Sequence, residues 1–170
     1  LLYTEPELLL AEEVKNPGIY LTIMKAIGLG DTKYSDLLNH TLLPHNVLSK
    51  YLSVLQKLRL VTREVPVTEK GLVKSKKGIY RLNDNFLQFY FRFVYPNLGL
   101  IEGGNQDILL RKVKKDFSCF IANIYERTAP EFLQNAIKQK VLPPFPFLGR
   151  YWDKDIEIAT IGLDPENNRI

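Results

Sequence analysis

One stretch of the chain carries side chains that could donate hydrogen bonds to a nucleic acid. The polar residues between positions 44 and 58 recur at the spacing of one helix face: His45, Asn46, Ser49, Lys50, Ser53, Gln56 and Lys57. Amide, hydroxyl and ammonium groups donate to phosphate oxygens and to base edges in the grooves of a duplex. This pattern indicates a DNA-binding surface, and the alternative is an ordinary solvated helix face.

The other side of the same stretch is apolar, which predicts an amphipathic helix. Its members recur at steps of three and four residues: Val47, Leu48, Tyr51, Leu52, Leu55 and Leu58. Upstream, residues 18–28 predict one helix and residues 34–39 a shorter one, followed by a turn at 40–44. Three helices in this order predict a helix-turn-helix core, whose last helix enters the major groove.

A basic hairpin is predicted directly after the third helix. Residues 61–67 and 79–82 alternate in polarity as strands do. Between positions 59 and 81 there are seven basic and two acidic side chains, a local charge of +5 against +4 for the whole chain. Such a hairpin can act as a wing that lies along a phosphate backbone, with a solvated loop as the alternative. The predicted phosphate contacts are Arg63, Lys70, Lys74, Lys76 and Lys77.

The composition excludes several classes of protein. The single cysteine, Cys119, rules out a disulfide framework within the chain and a zinc site built on cysteines. His40 and His45 have no cluster of carboxylates or thiols near them in the sequence, so no metal site is predicted. The chain has no apolar run of eighteen residues and no secretory leader, so we expect a cytoplasmic location without a membrane partner.

The second half of the chain begins with an aromatic helix, predicted over residues 85–96 and capped by Asp84. Aromatic residues at helical spacing normally form core, and the alternative is a surface that docks a neighbouring domain. The predicted broad face consists of Phe86, Phe89, Tyr90, Phe93 and Val94, and it is widened by Phe91 and Tyr95. A Gly-rich linker is predicted at 97–105, a long helix containing a core Cys119 at 106–140, a loop at 145–155 and a strand at 156–163.

These elements predict a mainly α chain with small β elements, which is the α+β class. We divide it into a linker helix at 1–17, a winged helix-turn-helix domain at 18–83, an aromatic connecting helix with its linker at 84–105, and a C-terminal domain at 106–170. The chain starts at Leu1 and stops shortly after a strand-like run. We therefore expect a piece of a longer protein.

Three runs of sequence resemble the C-terminal portion of the archaeal-type ATPase family: YRLNDNFLQFYFRFVYPN, IYERTAPEFL and LGRYWDKDIEIATIGLD. Members of that family carry a nucleotide-binding ATPase module, then a winged helix-turn-helix domain, then a C-terminal domain of unknown function related to PD-(D/E)XK nucleases. The resemblance implies a winged-helix region followed by an incomplete nuclease-like α/β domain. It also implies that ATP and Mg²⁺ belong to a missing N-terminal ATPase domain, because no GxxxxGK(S/T) motif occurs here.

The resemblance singles out two carboxylates as vestigial catalytic candidates, Glu126 and Glu157. Related nucleases hold a divalent metal with such carboxylates, and the metal activates water. Ala159 stands where the resemblance requires an aspartate, and the Glu-x-Lys strand would lie beyond Ile170. We therefore expect neither metal, cofactor nor nuclease activity in this chain. The structural alternative for Glu126 is an ion pair with Arg127 or Arg150.

Two functions remain open at this point. The first is a DNA-binding module whose partners are duplex DNA and the protein's own N-terminal ATPase domain. The second is a protein–protein or regulatory module that docks the ATPase domain without binding nucleic acid. A homodimer is compatible with both.

Overall fold

The computed structural model describes residue 10, residues 14–69, residues 75–167 and residue 170. Most of the helix predicted at 1–17 lies outside these residues, as do Lys70 and Lys74. The described chain is a mixed α+β structure, mostly helical, with two small antiparallel sheets of two strands each. It forms two compact units: unit 1 comprises residues 1–64 and 78–115, and unit 2 comprises residues 65–77 and 116–170.

Unit 1 contains the three helices predicted for the helix-turn-helix core: α1 (Pro17–Leu29), α2 (Tyr34–Thr41) and α3 (His45–Lys57). Helix α1 ends at Gly30, which has a φ of 116° and donates its N–H to the carbonyl of Ile27 at 3.1 Å. A left-handed residue at this place favours glycine.

The core of unit 1 lies between these three helices and the segments that follow them. Its fully buried side chains come from every helix, including Ile23 of α1, Leu37 of α2, and Leu48 and Leu55 of α3. The apolar residues at steps of three and four are therefore the ones that hold the helices together.

A short hairpin follows α3. Strand β1 (Val61–Glu64) pairs antiparallel with β2 (Ile79–Leu82), in a register that places Val61 opposite Leu82. The bounds of β2 confirm the prediction, whereas β1 stops three residues earlier than predicted. The reason lies in Pro66, which has no N–H to donate to a ladder, and the chain turns into one 3₁₀ turn at Val67–Glu69.

The aromatic segment is not one continuous α-helix. Helix α4 (Asn85–Phe89) is capped by the carboxylate of Asp84, which accepts the N–H of Leu87 at 2.9 Å, as predicted. A π-helical turn (Tyr90–Val94) and a 3₁₀ turn (Tyr95–Asn97) follow. Phe91, which was predicted to widen the aromatic face, is fully buried, whereas Phe86 is 42% exposed. The predicted face was therefore wrong at Phe86.

The predicted Gly-rich linker contains a short helix, α5 (Leu98–Glu102), and α6 (Gln106–Lys138) follows it. Asn97 fixes this region, since its amide donates to the carbonyl of Phe93 at 2.8 Å and its oxygen accepts from the ammonium of Lys112 at 3.0 Å. Glycines alone predicted a linker, and these contacts are why the prediction was wrong. Helix α6 passes through Pro130 without a break.

Unit 2 contains a second antiparallel sheet, formed by β3 (Phe147–Trp152) and β4 (Glu157–Leu163) with a bulge after Gly149. The strand at 156–163 was predicted, but the whole of β3 was predicted as a loop because Pro143, Pro144, Pro146 and Gly149 are turn residues. Pairing with β4 outweighs that local signal. Cys119 on α6 is exposed, so its assignment to the core was wrong.

Candidate functional site

The polar face of α3 is open to solvent. Six of its seven predicted members are exposed, namely His45, Asn46, Ser49, Lys50, Ser53 and Lys57. Gln56 is half-buried, and its amide donates to the carbonyl of Leu52 at 3.1 Å. The buried residues Leu48, Leu52 and Leu55 occupy the other face. The amphipathic helix is confirmed, and no other described segment covers its hydrophilic face.

The first turn of α3 is fixed by Tyr34 from the start of α2. The hydroxyl of Tyr34 donates to the carbonyl of His45 at 2.9 Å, and the two rings lie 5.0 Å apart between centroids. Burial raises the pKa of Tyr34, so the phenol keeps its proton and remains a donor. This contact sets the position of α3 relative to α2, while the imidazole of His45 remains exposed.

The side chains of Asn46, Ser49 and Lys50 make no hydrogen bond or ion pair with another described residue. Their donors are therefore satisfied by water and can be transferred to a ligand without breaking a contact of the protein. A phosphate or a base edge that replaces this water would recover the same hydrogen bonds.

Arg63 on β1 lies against the hairpin itself. Its guanidinium hydrogen-bonds to the hydroxyl of Tyr80 on β2, and it passes so close to Gly78 that an added Cβ there would overlap it. Burial raises the pKa of Tyr80, and the positive charge of Arg63 opposes that shift. The guanidinium is thus positioned by the hairpin, half-buried rather than freely extended.

The end of the predicted wing has a different environment, because residues 65–77 belong to unit 2. The ammonium of Lys77 lies 3.6 Å from a carboxylate oxygen of Glu69 and 3.5 Å from one of Asp153. Asp153, followed by Glu69, raises the pKa of Lys77. Its charge is therefore compensated by two carboxylates. Lys76 is exposed and has no ion pair with another described residue.

Further contacts hold this segment, the wing-tip segment (Val65–Lys77), against β3. The indole N–H of Trp152 donates to the carbonyl of Lys77 at 3.1 Å. The hydroxyl of Ser75 bonds to the carboxylate of Glu69 and accepts the N–H of Lys77 at 3.1 Å. Pro66, Val67 and Ser75 are buried. The wing-tip segment is therefore an integral part of unit 2.

The two carboxylates that the resemblance singles out, Glu126 and Glu157, both lie beside the guanidinium of Arg150. The side chain of Arg150 is only 4% exposed, and one of its terminal nitrogens is shared between Glu157, which it hydrogen-bonds, and Glu126, at 3.9 Å. Arg150 also lies 6.0 Å from the ring centroid of Trp152. Of the two alternatives for the partner of Glu126, the structure places Arg150 beside it.

This arrangement does not fit the divalent metal that the resemblance implies. A guanidinium already occupies the space next to both carboxylates, and its positive charge would repel a cation there. Ala159 on β4 offers no ligand atom. Within the described ranges, no group of three His, Cys, Asp or Glu side chains is arranged to hold a metal.

Sequence reasoning identified the face of α3 and offered Arg150 as a partner of Glu126, but it missed the partners of Lys77 and the pairing of Arg150 with Glu157. Asp153 lies far along the chain from Lys77, and no local pattern links the two. Arg150 sits in a segment that was predicted as a loop, which gave no reason to expect a buried charge. His40 pairs with Asp31, and its Nδ1 lies 2.5 Å from a carboxylate oxygen of that residue.

None of the helices in the described part of the chain combines the length and the apolarity needed to cross a bilayer. Residues 90–170 match the family DUF234, described as archaeal and bacterial proteins of unknown function. The chain is also similar to an uncharacterized protein of Methanocaldococcus jannaschii, MJECL04, with 36% identity over 167 residues. That alignment covers 97% of the chain but 37% of the relative, so the chain spans little more than a third of that protein. No solved structure matches significantly.

Proposed function

We propose that this chain is a DNA-binding winged helix-turn-helix region of a larger archaeal-type ATPase. The observation that carries the proposal is the exposed face of α3, on which Asn46, Ser49 and Lys50 have no partner among the described residues. This helix follows a short helix and precedes a hairpin. In this arrangement Asn46, Ser49 and Lys50 face the duplex groove. Within unit 1, Arg63 on β1 is the hairpin cation that reaches a phosphate. In unit 2, Lys76 is a further predicted phosphate contact, and Lys77 contributes less because carboxylates surround it.

The experiment is binding of the purified chain to random-sequence duplex DNA, followed by fluorescence anisotropy across a range of salt concentrations. We expect a Kd of about 10⁻⁴ to 10⁻⁶ M near physiological salt, which becomes weaker as salt rises because phosphate contacts release counterions. Binding that is absent, or that does not respond to salt, would overturn the proposal.

A matched pair of variants assigns the binding to α3. Asn46→Ala with Lys50→Ala removes an amide and an ammonium from the polar face, whereas Asn135→Ala with Lys138→Ala removes the same groups from exposed positions on α6. We expect the first variant to weaken binding and to lower the salt slope by about one unit for the lost lysine contact. The second variant should bind like the parent. Equal effects would show that only net charge matters.

The alternative function is docking of an ATPase domain through the aromatic segment. A large exposed aromatic patch would favour it, but Tyr90, Phe91 and Phe93 are buried within the described structure. Phe86 is the more exposed ring of this segment, at 42%. This observation favours the core interpretation of the segment, and we therefore put DNA binding first.

We further propose that the nuclease-like part is catalytically inactive in this chain. Two observations support this inference. Ala159 stands where the resemblance requires a metal-binding aspartate, and Arg150 forms ion pairs with both Glu126 and Glu157. Incubation with plasmid DNA and Mg²⁺ or Mn²⁺ tests this inference. We expect intact plasmid, and cleavage that disappears in Glu126→Gln would contradict it.

A further inference from the structure

A second cluster of cations lies at the start of the long helix, in the run Arg111-Lys112-Val113-Lys114-Lys115. All four basic side chains are exposed, and Val113 between them is half-buried. The run belongs to unit 1, the same compact unit that carries α3. Four cations in five residues form the densest positive run of the described chain, and the proposed function so far gives them no role.

The helix geometry sorts these residues onto different sides. At about 100° per residue, Arg111, Lys114 and Lys115 fall within an arc of about 100°. Leu109 and Val113, which are both half-buried, lie on the opposite side. Because Leu109 and Val113 mark the half-buried side of the helix, the three cations lie on its exposed side and form a basic stripe (Arg111, Lys114 and Lys115).

Lys112 points away from the basic stripe and has a structural role. Its ammonium donates to the side-chain oxygen of Asn97 at 3.0 Å. The members of the basic stripe, by contrast, form no ion pair with another described residue, and this includes Asp107, the carboxylate one turn before Arg111. Their charges are therefore not neutralised by the protein, unlike the charge of Lys77.

We infer that the basic stripe is a second DNA-contacting surface, which binds the phosphate backbone of a duplex without reading its sequence. The chemistry fits, because guanidinium and ammonium groups three and four residues apart on one helix face can each neutralise a phosphate. This inference rests on the proposed function, and it adds a surface that neither α3 nor the hairpin provides.

The test uses the full chain, random-sequence duplex DNA and anisotropy between about 50 and 200 mM salt. The stripe variant carries Gln at Arg111, Lys114 and Lys115, because glutamine keeps helix propensity while removing charge. We expect it to bind about tenfold or more weakly at the lower salt, and its log–log salt slope to fall by about two to three units. Far-UV circular dichroism should show unchanged helix content.

The control carries Gln at Lys15, Lys138 and Lys154, three exposed lysines outside the stripe, so its net charge equals that of the stripe variant. Parent-like binding by the control supports the inference. An unchanged stripe variant, or a control that loses as much slope, overturns it. If the parent chain does not bind DNA at all, the proposed function fails as well. If the variant with Asn46→Ala and Lys50→Ala binds DNA like the parent while the stripe variant binds more weakly, α3 is excluded as a DNA contact and the basic stripe is retained.

Discussion

Lys50 and Lys77 carry the same charge on exposed side chains, yet they lie in opposite surroundings. Lys50 projects from α3 in unit 1 and makes no ion pair with another described residue. Lys77 in unit 2 lies within 3.6 Å of carboxylate oxygens from both Glu69 and Asp153. The difference shows that the number of cations in a segment does not determine its ability to attract an anion, because a folded chain can supply the counter-charges itself.

The same contrast separates the two units more generally. The hydrophilic side of α3 keeps its donors in water, which leaves them available to a ligand. In unit 2 a buried charge, Arg150, is held by Glu126 and Glu157. Polar groups that are already paired contribute to the stability of the fold, whereas unpaired exposed groups contribute to binding. The predictions below test this division.

One test of this division is Arg150→Ala. The substitution removes a buried side chain with its packing and its two ion pairs but leaves carboxylates that are exposed to solvent, so we expect the free energy of unfolding to fall by about 1–3 kcal/mol. Urea denaturation followed by the fluorescence of Trp152, the single tryptophan of the chain, reports directly on unit 2. Lys154→Ala is the control, and as an exposed change it should stay within about 0.5 kcal/mol of the parent. A loss for Arg150→Ala as small as that of the control would mean that the cluster is not a stabilising contact.

The two faces of α3 provide the second test. Leu52 is fully buried, so Leu52→Ala should lower the stability of unit 1 by about 2–5 kcal/mol through lost packing and a residual cavity. Lys50→Ala, two residues earlier on the exposed face, should change stability by less than about 0.5 kcal/mol. Thermal unfolding followed by circular dichroism measures both. If Lys50→Ala proved as destabilising as Leu52→Ala, the side chain would be part of the fold and not free for DNA.

Whether a helix or strand could be predicted depends on whether its signal is local in the sequence or comes from residues far apart in the chain. The spacing of Leu48, Leu52 and Leu55 is a local property, and it was enough to identify α3 and its two faces. Strand β2 was also correct, because Ile79–Leu82 alternates and follows a glycine. Strand β3 was missed because the prolines before it and Gly149 within it indicate a loop, and the pairing with β4 that outweighs them cannot be seen in a local stretch of sequence.

In the candidate site, too, some features could be predicted from local periodicity and others depend on contacts between distant residues. Asn46 and Lys50 were identified because helix periodicity places them on one side of α3. The neutralisation of Lys77 by Asp153 and the meeting of Glu126 with Arg150 depend on residues that are distant in the chain. The basic stripe on α6 was present as a charge run, but only the half-burial of Leu109 and Val113 shows which of its cations point outward.

Alkaline pH should weaken unit 1 through Tyr80. Burial raises the pKa of this phenol above its ordinary value near 10, so the folded protein keeps a proton that the unfolded chain releases above that pH. The unfolded state then binds fewer protons, and the free energy of unfolding falls as the pH rises beyond about 10. Below that pH the contribution is constant. Tyr80→Phe should therefore show a shallower decline between about pH 9 and 11 in urea denaturation, and parallel curves would contradict the assignment. Lys77 titrates in the same direction in both proteins, so its contribution cancels.

The smallest expected effects concern Lys77 and bear directly on the contrast with Lys50. Because Glu69 and Asp153 compensate its charge, Lys77→Ala should change the salt slope of DNA binding by much less than one unit, whereas Lys50→Ala should lower it by about one. Asp153→Asn removes one of the two carboxylates and leaves the lysine more available to a phosphate. In that background, Lys77→Ala should lower the slope measurably. If Lys77→Ala lowers the salt slope of the parent as much as Lys50→Ala does, Glu69 and Asp153 do not compete with DNA for this lysine. The number of cations would then determine DNA binding more than their surroundings do. A stability change of at most about 1 kcal/mol is expected for Asp153→Asn, since the pair is exposed to solvent.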